Sequence, residues 1–123
     1  MKKKIKSILL VAGLIMSTGV LATAAVGPSV YGHSRSTYYH GHVEGNVTGY
    51  GVDAETYAYR DSGSEGMYAY VECVNGQGYR IGNGRESWGS SYAYTGFITR
   101  ESAVTAYGTI GTSTGTSSAY CHL

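Results

Sequence analysis

The segment from Met67 to Val74 alternates strictly between two kinds of side chain. Small and apolar residues take one set of positions, and tyrosines with a glutamate take most of the other. Because successive side chains of a strand point to opposite faces, this pattern predicts a β-strand with an apolar face that carries Cys73. The end of the chain repeats the arrangement, with Ala119 and Cys121 on one face and Tyr120 on the other. The pattern leaves open whether the tyrosine faces turn outward or form the core.

Tyr-Ala-Tyr occurs three times, at residues 57–59, 68–70 and 92–94. A turn-rich connector separates the first two triplets, and cross-strand aromatic pairs stabilise a hairpin by roughly 0.2–1 kcal/mol each. Folding the chain about this connector predicts two such pairs, Tyr57 with Tyr70 and Tyr59 with Tyr68.

Asn75-Gly76 is a strong signal for a two-residue hairpin turn. It sets Glu72 opposite Tyr79 and Tyr70 opposite Ile81. Later strands are predicted at about residues 91–99, 103–110 and 116–122. Helical periodicity is almost absent from the chain. The predicted fold is all-β: a small antiparallel β-sandwich or meander of about six strands, with one disulfide.

The first 24 residues have the organisation of an export signal. A lysine-rich start precedes an apolar run, and Ala22-Thr23-Ala24 matches the small-x-small pattern of a cleavage site. The predicted organisation is a signal peptide over residues 1–24, an irregular N-terminal arm over 25–37 and a single β-domain over 38–123. The mature protein is predicted to be secreted and extracellular, with membrane contact only through the cleaved signal.

Charge and composition exclude some classes of protein and favour others. Removing the four lysines of the signal leaves five arginines against eight acidic residues, a net charge of −3. Nucleic-acid binding needs a basic surface for phosphate contacts, so no nucleic-acid partner is predicted. Large aliphatic residues are few, but the chain has 13 tyrosines. Tyrosine forms strands well and buries a large area, which favours an ordered β-protein over a disordered chain.

Cys73 and Cys121 are the two cysteines of the chain. In an oxidising extracellular compartment such a pair is predicted to form a disulfide. The bond would close a loop of nearly fifty residues. In the chain-entropy model this loop closure contributes roughly 4 kcal/mol.

His40-x-His42-x-Glu44 places three side chains with metal-binding chemistry on one strand face. Without a distant fourth ligand, a polar, solvated strand start explains these residues better, so no metal and no cofactor is predicted. The Gly-x-Ser-x-Gly string at residues 111–115 separates two predicted strands, whereas a nucleophile elbow joins a strand to a helix, so it does not predict a hydrolase. Paired acids for glycoside chemistry need a cleft, which a domain of this size rarely has. The prediction is a protein without enzymatic activity.

Aromatic side chains are the main candidates for binding. If the tyrosine faces turn outward, they form a surface that solubility alone does not require. Trp88 lies between turn signals and is either a ligand-stacking residue or a plug that closes one end of the β-layer. The plug is the favoured interpretation.

Tyr31-Gly32, followed by Ser36-Thr37-Tyr38-Tyr39-His40-Gly41, resembles the start of the mature lactococcin 972-type bacteriocins. His42 and Val43 match the family's next positions loosely. The resemblance implies a small secreted protein with a signal peptide, no modification and an all-β fold. It also implies an activity that blocks septum formation in target bacteria through the cell-wall precursor lipid II. Together with the tyrosine faces, this segment defines the candidate binding residues: Tyr38, Tyr39, His40, His42, Tyr57, Tyr59, Tyr68, Tyr70 and Trp88.

The sequence therefore predicts a secreted, non-enzymatic β-protein that acts at a bacterial cell envelope as a bacteriocin-like antagonist. Its predicted partner is a cell-wall precursor or an envelope glycan. Two alternatives are an extracellular carbohydrate- or surface-binding module with an exposed tyrosine face, and a matrix protein that assembles through its strand edges.

Overall fold

The computed structural model describes residues 23–49 and 51–123. All regular secondary structure in this part of the chain is β-strand, and its strand pairs are antiparallel. The predicted all-β class is confirmed, but the estimate of about six strands is too low. The described strands are β1 (Thr23–Val26), β2 (Val30–Ser34), β3 (Thr37–Thr48), β4 (Gly51–Ser62), β5 (Met67–Val74), β6 (Arg85–Gly89), β7 (Tyr92–Tyr94), β8 (Ile98–Arg100), β9 (Thr105–Thr112) and β10 (Gly115–His122).

The strands form two sheets whose inner faces pack against each other. The long strands β3 and β4 are the centre of the six-stranded sheet. β1 and β2 pair with β3, and β7 and β8 pair with the opposite edge of β4. The four-stranded sheet has the order β10-β9-β5-β6.

The predicted alternation of β5 is observed. Its apolar set, from Met67 to Cys73, is fully buried between the sheets, whereas its tyrosines lie on the outer side. In β10, Ala119 and Cys121 are buried and Tyr120 is exposed. The tyrosine faces of both strands therefore turn outward, which decides the question that the sequence pattern left open.

Small residues on the inner faces bring the two sheets close together. A Cβ atom on Gly41 of β3 would lie 2.1 Å from the carbonyl oxygen of Tyr57 and 3.0 Å from Cδ1 of Ile110. A Cβ atom on Gly108 of β9 would lie 2.6 Å from Cγ2 of Val43. Real side chains do not make such contacts, so only glycine fits at both positions. The few large residues of the core, Ile110 and Val43 among them, fill the space that the glycines leave.

The N-terminal part of the domain is more ordered than its composition predicted. Residues 1–22 of the predicted signal peptide, which covers residues 1–24, lie outside the described residues. Residues 25–37 were predicted to be an irregular arm, but they contain β2, which pairs with β3 through a tight turn at Arg35. The predicted cleavage point after Ala24 falls within β1, whose residues Ala25 and Val26 pair with β3. The prediction of an irregular arm is wrong because the exposed edge of β3 provides pairing partners that local composition does not reveal.

The predicted hairpin between the first two Tyr-Ala-Tyr triplets is not formed. β4 and β5 belong to different sheets, and residues 63–66 connect them. The first triplet pairs instead with the third, so that Tyr57 lies opposite Tyr94 and Tyr59 opposite Tyr92. Aromatic residues do pair across strands, as the rule requires, but the rule alone did not identify the partner strand.

The turn predicted at Asn75 is observed with a different register. Asn75 and Tyr79 are joined by a main-chain hydrogen bond, and the next bridge pairs Val74 with Arg80. The predicted register, with Glu72 opposite Tyr79 and Tyr70 opposite Ile81, is wrong. The loop is wider than a two-residue turn because Oδ1 of Asn75 accepts hydrogen bonds from main-chain N–H groups within it.

The predicted disulfide between Cys73 and Cys121 is absent, and both residues are buried free thiols. Ala106 of β9 pairs with Cys73 on one side and with Cys121 on the other. The two cysteines are therefore separated by two strand spacings, about 10 Å. A disulfide needs Cα atoms within about 7 Å. The sequence pattern placed both thiols correctly on the inner face, but it could not show that β9 lies between them.

Candidate binding site: the aromatic face of the six-stranded sheet

The outer side of the six-stranded sheet carries a continuous array of aromatic and imidazole rings. Alternation turns every second side chain of β3 and β4 outward, and the neighbouring strands β2 and β7 add rings at the edges. Seven residues form what we call the aromatic array: Tyr31, His40, His42, Tyr57, Tyr59, Tyr92 and Tyr94.

The first row of the array crosses four strands. Its ring centroids are 5.4 Å apart between Tyr31 and His40, 5.0 Å between His40 and Tyr59, and 5.2 Å between Tyr59 and Tyr92. These separations follow the spacing of the strands beneath, about 4.8 Å. The row is therefore a regular ladder whose geometry is set by the sheet.

The second row lies beside the first and has three rings. Its centroids are 4.9 Å apart between His42 and Tyr57 and 4.8 Å apart between Tyr57 and Tyr94. Tyr59 joins the two rows, because its centroid lies 6.3 Å from those of both His42 and Tyr57. Stacked and tilted contacts at these distances stabilise aromatic pairs, so neighbouring rings hold one another in place.

Stacking determines which parts of the array meet solvent. Rings inside a row cover one another's faces, and they present edges, hydroxyls and ring nitrogens outward. Tyr31 and Tyr92 end the first row and are 73% and 43% exposed. Within the described part of the chain, each has a single ring neighbour in the array. One face of each terminal ring is therefore open to a ligand.

Two carboxylates lie beside the second row. Glu44 of β3 and Glu55 of β4 are directly opposite each other. Oε2 of Glu44 is 2.7 Å from Nε2 of His42, and the hydroxyl of Tyr94 donates a short hydrogen bond to Oε1 of the nearly buried Glu55. Like charges on directly opposed strand residues repel each other, so this part of the face has a concentrated negative charge.

Two more carboxylates flank the array. Oδ1 of Asp61 is 2.8 Å from Nδ1 of His40. Oδ1 of Asp53 accepts a hydrogen bond of 2.6 Å from the hydroxyl of Thr99. In the part of the chain that the structure describes, the carboxylates of this face are thus held by imidazole, phenol and hydroxyl groups.

The tyrosines next to these carboxylates keep their protons more tightly than free tyrosine does. Burial and the nearby charges of Glu44 and Glu55 raise the pKa of Tyr57. The hydrogen bond to Glu55, together with burial, raises the pKa of Tyr94 to about 12. Burial and the neighbouring Tyr92 raise the pKa of Tyr59. The phenol groups of these three tyrosines therefore stay neutral at physiological pH.

We expect the protein to lose stability as the pH rises above 9. Burial raises the pKa of the Cys73 thiol from 9.0 to about 11, and the pKa of Tyr94 is raised from 10.0 to about 12. The folded chain thus holds these protons more tightly than the unfolded chain. The resulting stabilisation is complete below the unfolded values and is lost as the pH rises through the folded ones. For Cys73 the difference corresponds to about 3 kcal/mol.

Urea unfolding at a series of pH values measures this loss. The free energy of unfolding should fall between pH 9.0 and about 12. Replacement of Tyr94 by phenylalanine removes its ionisable hydroxyl and should make the fall above pH 10.0 smaller. The same fall in both proteins would show that Tyr94 does not carry the effect.

The structure brings four of the predicted binding residues together. His40, His42, Tyr57 and Tyr59 are all members of the aromatic array. Tyr38 is exposed beside His33, with ring centroids 5.2 Å apart, and borders the array.

Tyr39 is buried in the core, where its hydroxyl bonds to the hydroxyl of Ser117. The prediction of Tyr39 as a binding residue is therefore wrong for the folded chain. The cause is the alternation of β3, which turns Tyr39 inward while its neighbours Tyr38 and His40 point outward.

The other three predicted residues lie on the opposite side of the molecule, on the outer face of the four-stranded sheet. Tyr68 and Trp88 contact each other there with ring centroids 4.6 Å apart. Trp88 is 56% exposed, so it does not plug the end of the β-layer. Tyr70 lines a shallow depression of about 260 Å³ on the same face.

Sequence reasoning missed three rings, and it did not connect the nearby acids with the aromatic residues. Tyr31, Tyr92 and Tyr94 complete the array, and Glu55 and Asp61 bond to it. The repeated Tyr-Ala-Tyr triplet at residues 92–94 was a usable signal, since equal triplets on neighbouring strands place tyrosines side by side. Tyr31 had no such signal, because β2 was not predicted.

The three side chains with metal-binding chemistry on β3 are divided between different partners. His42 contacts Glu44, whereas His40 contacts Asp61. Among the described residues, no group of three or more histidine, cysteine or acidic side chains is arranged to hold a metal ion.

No family model matches this chain, and neither a curated protein nor a solved structure is significantly similar to it. In residues 23–49 and 51–123, no helix is long and apolar enough to cross a membrane.

Proposed function

We propose that this chain is an extracellular, non-enzymatic binding protein that attaches to an envelope glycan through the aromatic array. The observation that supports this proposal is the aromatic array of seven rings on an exposed sheet face, with an open tyrosine face at each end of its first row. A surface of this kind is more aromatic than solubility requires, and such surfaces mark interaction sites.

Sugars have apolar faces and hydroxyl groups, and the array offers a complement to both. The open faces of Tyr31 and Tyr92 stack against the apolar side of a sugar ring. Between them, the phenol of Tyr59 and the imidazole of His40 provide donors and acceptors for sugar hydroxyls. The row crosses three strand spacings, about 14 Å, so it suits an oligosaccharide chain better than a single sugar.

A second candidate function is the bacteriocin-like antagonist that the N-terminal segment resembles, with a cell-wall precursor as its ligand. One observation favours it: His40 and His42, which belong to that segment or follow it directly, are both in the aromatic array. The two functions share a binding surface, and they differ in whether binding stops the growth of a target cell.

The test uses the purified protein with insoluble peptidoglycan, chitin and cellulose in co-sedimentation, and with soluble fragments in calorimetry. The double variant Tyr31→Ala/Tyr92→Ala removes both open ring faces and should weaken binding by about tenfold per ring. The matched control is Tyr107→Ala/Tyr120→Ala on the opposite sheet. Tyr107 and Tyr120 are 44% and 41% exposed, close to the 43% of Tyr92.

Binding that is lost in the first double variant and kept in the second supports the proposal. Equal losses in both variants, or no binding to any of these glycans, overturn it. A growth assay on Gram-positive bacteria distinguishes the two candidates: inhibition that disappears in the Tyr31→Ala/Tyr92→Ala variant favours the antagonist, whereas binding without inhibition favours the glycan-binding module.

A further inference from the structure

We propose that the aromatic array selects ligands that carry protonated amino groups, and that its preferred occupant is an amino-sugar oligosaccharide with free amines. This inference rests on the proposed glycan-binding function and specifies its ligand class. Two independent features of the sheet face point to a cation: the charges around the rings and the rings themselves.

The charges on this face are negative. Glu44, Glu55, Asp53 and Asp61 all belong to β3 or β4 and border the array. Their bonding partners within the described residues are His42, Tyr94, Thr99 and His40. The ion pairs recorded there involve histidine alone. Among the residues that the structure describes, no arginine or lysine forms an ion pair with these acids, although such a pair would normally neutralise them.

Three arginines, on β4, β6 and β8, donate hydrogen bonds to main-chain oxygens instead of these carboxylates. Arg35, in the turn between β2 and β3, interacts electrostatically with Glu65. Arg60 donates to the main-chain oxygens of Glu65 and Ser90. Arg100 donates to main-chain oxygens of the loop that follows β5, and Arg85 donates to the main-chain oxygen of Phe97. These guanidinium groups hold loops in place through hydrogen bonds, so they do not neutralise the charges of the carboxylates on the aromatic face.

A bound cation would relieve the repulsion between two carboxylates that lie opposite each other. Glu44 and Glu55 face each other across β3 and β4, and like charges in that position destabilise a sheet. Burial and the charges of the same two carboxylates raise the pKa of Tyr57. An ammonium group brings a positive charge and three donors to this site.

The rings add an attraction of their own. The faces of tyrosine rings are negative and attract an ammonium group that lies within about 6 Å of the ring centroid. Tyr31 and Tyr92 keep one face open, so a cation can approach both ends of the first row. An organic ammonium fits better than a metal ion, because no described cluster has three ligands for a metal. A chain of amino sugars places an ammonium on each unit along the row.

The test compares two oligosaccharides of equal length that differ only in the amine: one of glucosamine units and one of N-acetylglucosamine units. Calorimetry is performed on the purified protein at a pH at which the glucosamine amines are protonated. We expect the free-amine form to bind at least tenfold more tightly, and added salt to reduce this advantage. The variant Glu44→Gln/Glu55→Gln should bind the two oligosaccharides with similar affinity.

The matched control is Glu72→Gln/Glu86→Gln, which removes the same two charges from the four-stranded sheet. If the control loses the advantage as well, the attraction is due to net charge and the inference is overturned. If the wild-type protein binds both oligosaccharides equally, the inference is overturned while the proposed function stands. If it binds neither, the inference is overturned, and the co-sedimentation experiment decides whether the proposed function stands.

Discussion

Replacement of Ile110 by alanine should lower the free energy of unfolding by about 2–5 kcal/mol. Ile110 is fully buried and packs in a cluster with Tyr39, Met67 and several alanines. Its Cδ1 and Cγ2 atoms lie against Gly41, where no side chain fills the space. Because the alanines and Gly41 beside it have little or no side chain that could move into a cavity, most of the lost volume should remain empty. This loss would be a large fraction of the free energy of unfolding of a typical domain.

Urea unfolding at neutral pH measures this loss. The matched control is Thr109→Val on the same strand, which keeps a β-branched side chain on the outer face and should change stability by no more than about 0.5 kcal/mol. If Ile110→Ala lowers the free energy of unfolding no more than Thr109→Val does, the inner faces of the sheets repack freely. In that case the close approach of the sheets at Gly41 does not limit relaxation.

Both cysteines should be unreactive toward a thiol reagent in the folded protein and fully reactive after unfolding. Cys73 and Cys121 are buried, and burial raises the pKa of both thiols. The reactive thiolate is therefore scarce as well as inaccessible. A reducing agent should leave the melting temperature unchanged, although a disulfide across this loop would have contributed roughly 4 kcal/mol.

Spectroscopic titration of thiols in buffer and in guanidinium measures this reactivity. The Cys121→Ala variant should react with half as much reagent as the wild-type protein under denaturing conditions, which calibrates the count. If the denatured wild-type protein shows no free thiol, or if reduction lowers the melting temperature, the two cysteines are joined. Strand β9 could not then lie between β5 and β10 as described.

Local periodicity predicted the faces of individual strands well. Met67–Val74 forms a strand with a buried cysteine side and an outward tyrosine side, and β10 repeats this arrangement. A period of two depends only on the geometry of the extended backbone, so it can be recognised from a few residues. The all-β class followed from the same periodicity together with the lack of helical spacing.

Local patterns did not predict which strands pair with each other. The triplet at residues 57–59 fits the triplets at 68–70 and 92–94 equally well by aromatic pairing, and the structure uses the second of these. The choice depends on residues 63–66, which carry the chain to the other sheet. A turn-rich segment looks the same whether it closes a hairpin or connects two layers.

In the aromatic array too, local patterns predicted some features, whereas others depended on strand pairing. His40, His42, Tyr57 and Tyr59 were identified as candidates from their own strands, but their assembly with Tyr31, Tyr92 and Tyr94 results from the pairing of four strands. Tyr39 was misjudged because it is next to exposed residues in sequence while its side chain enters the core.

The sequence by itself determined the β class and the two sides of its strands, since these depend on backbone geometry and local side-chain chemistry. Only the tertiary structure decided which strands are neighbours, and therefore that the cysteines stay apart and the rings come together, because pairing is set by contacts between residues far apart in the chain.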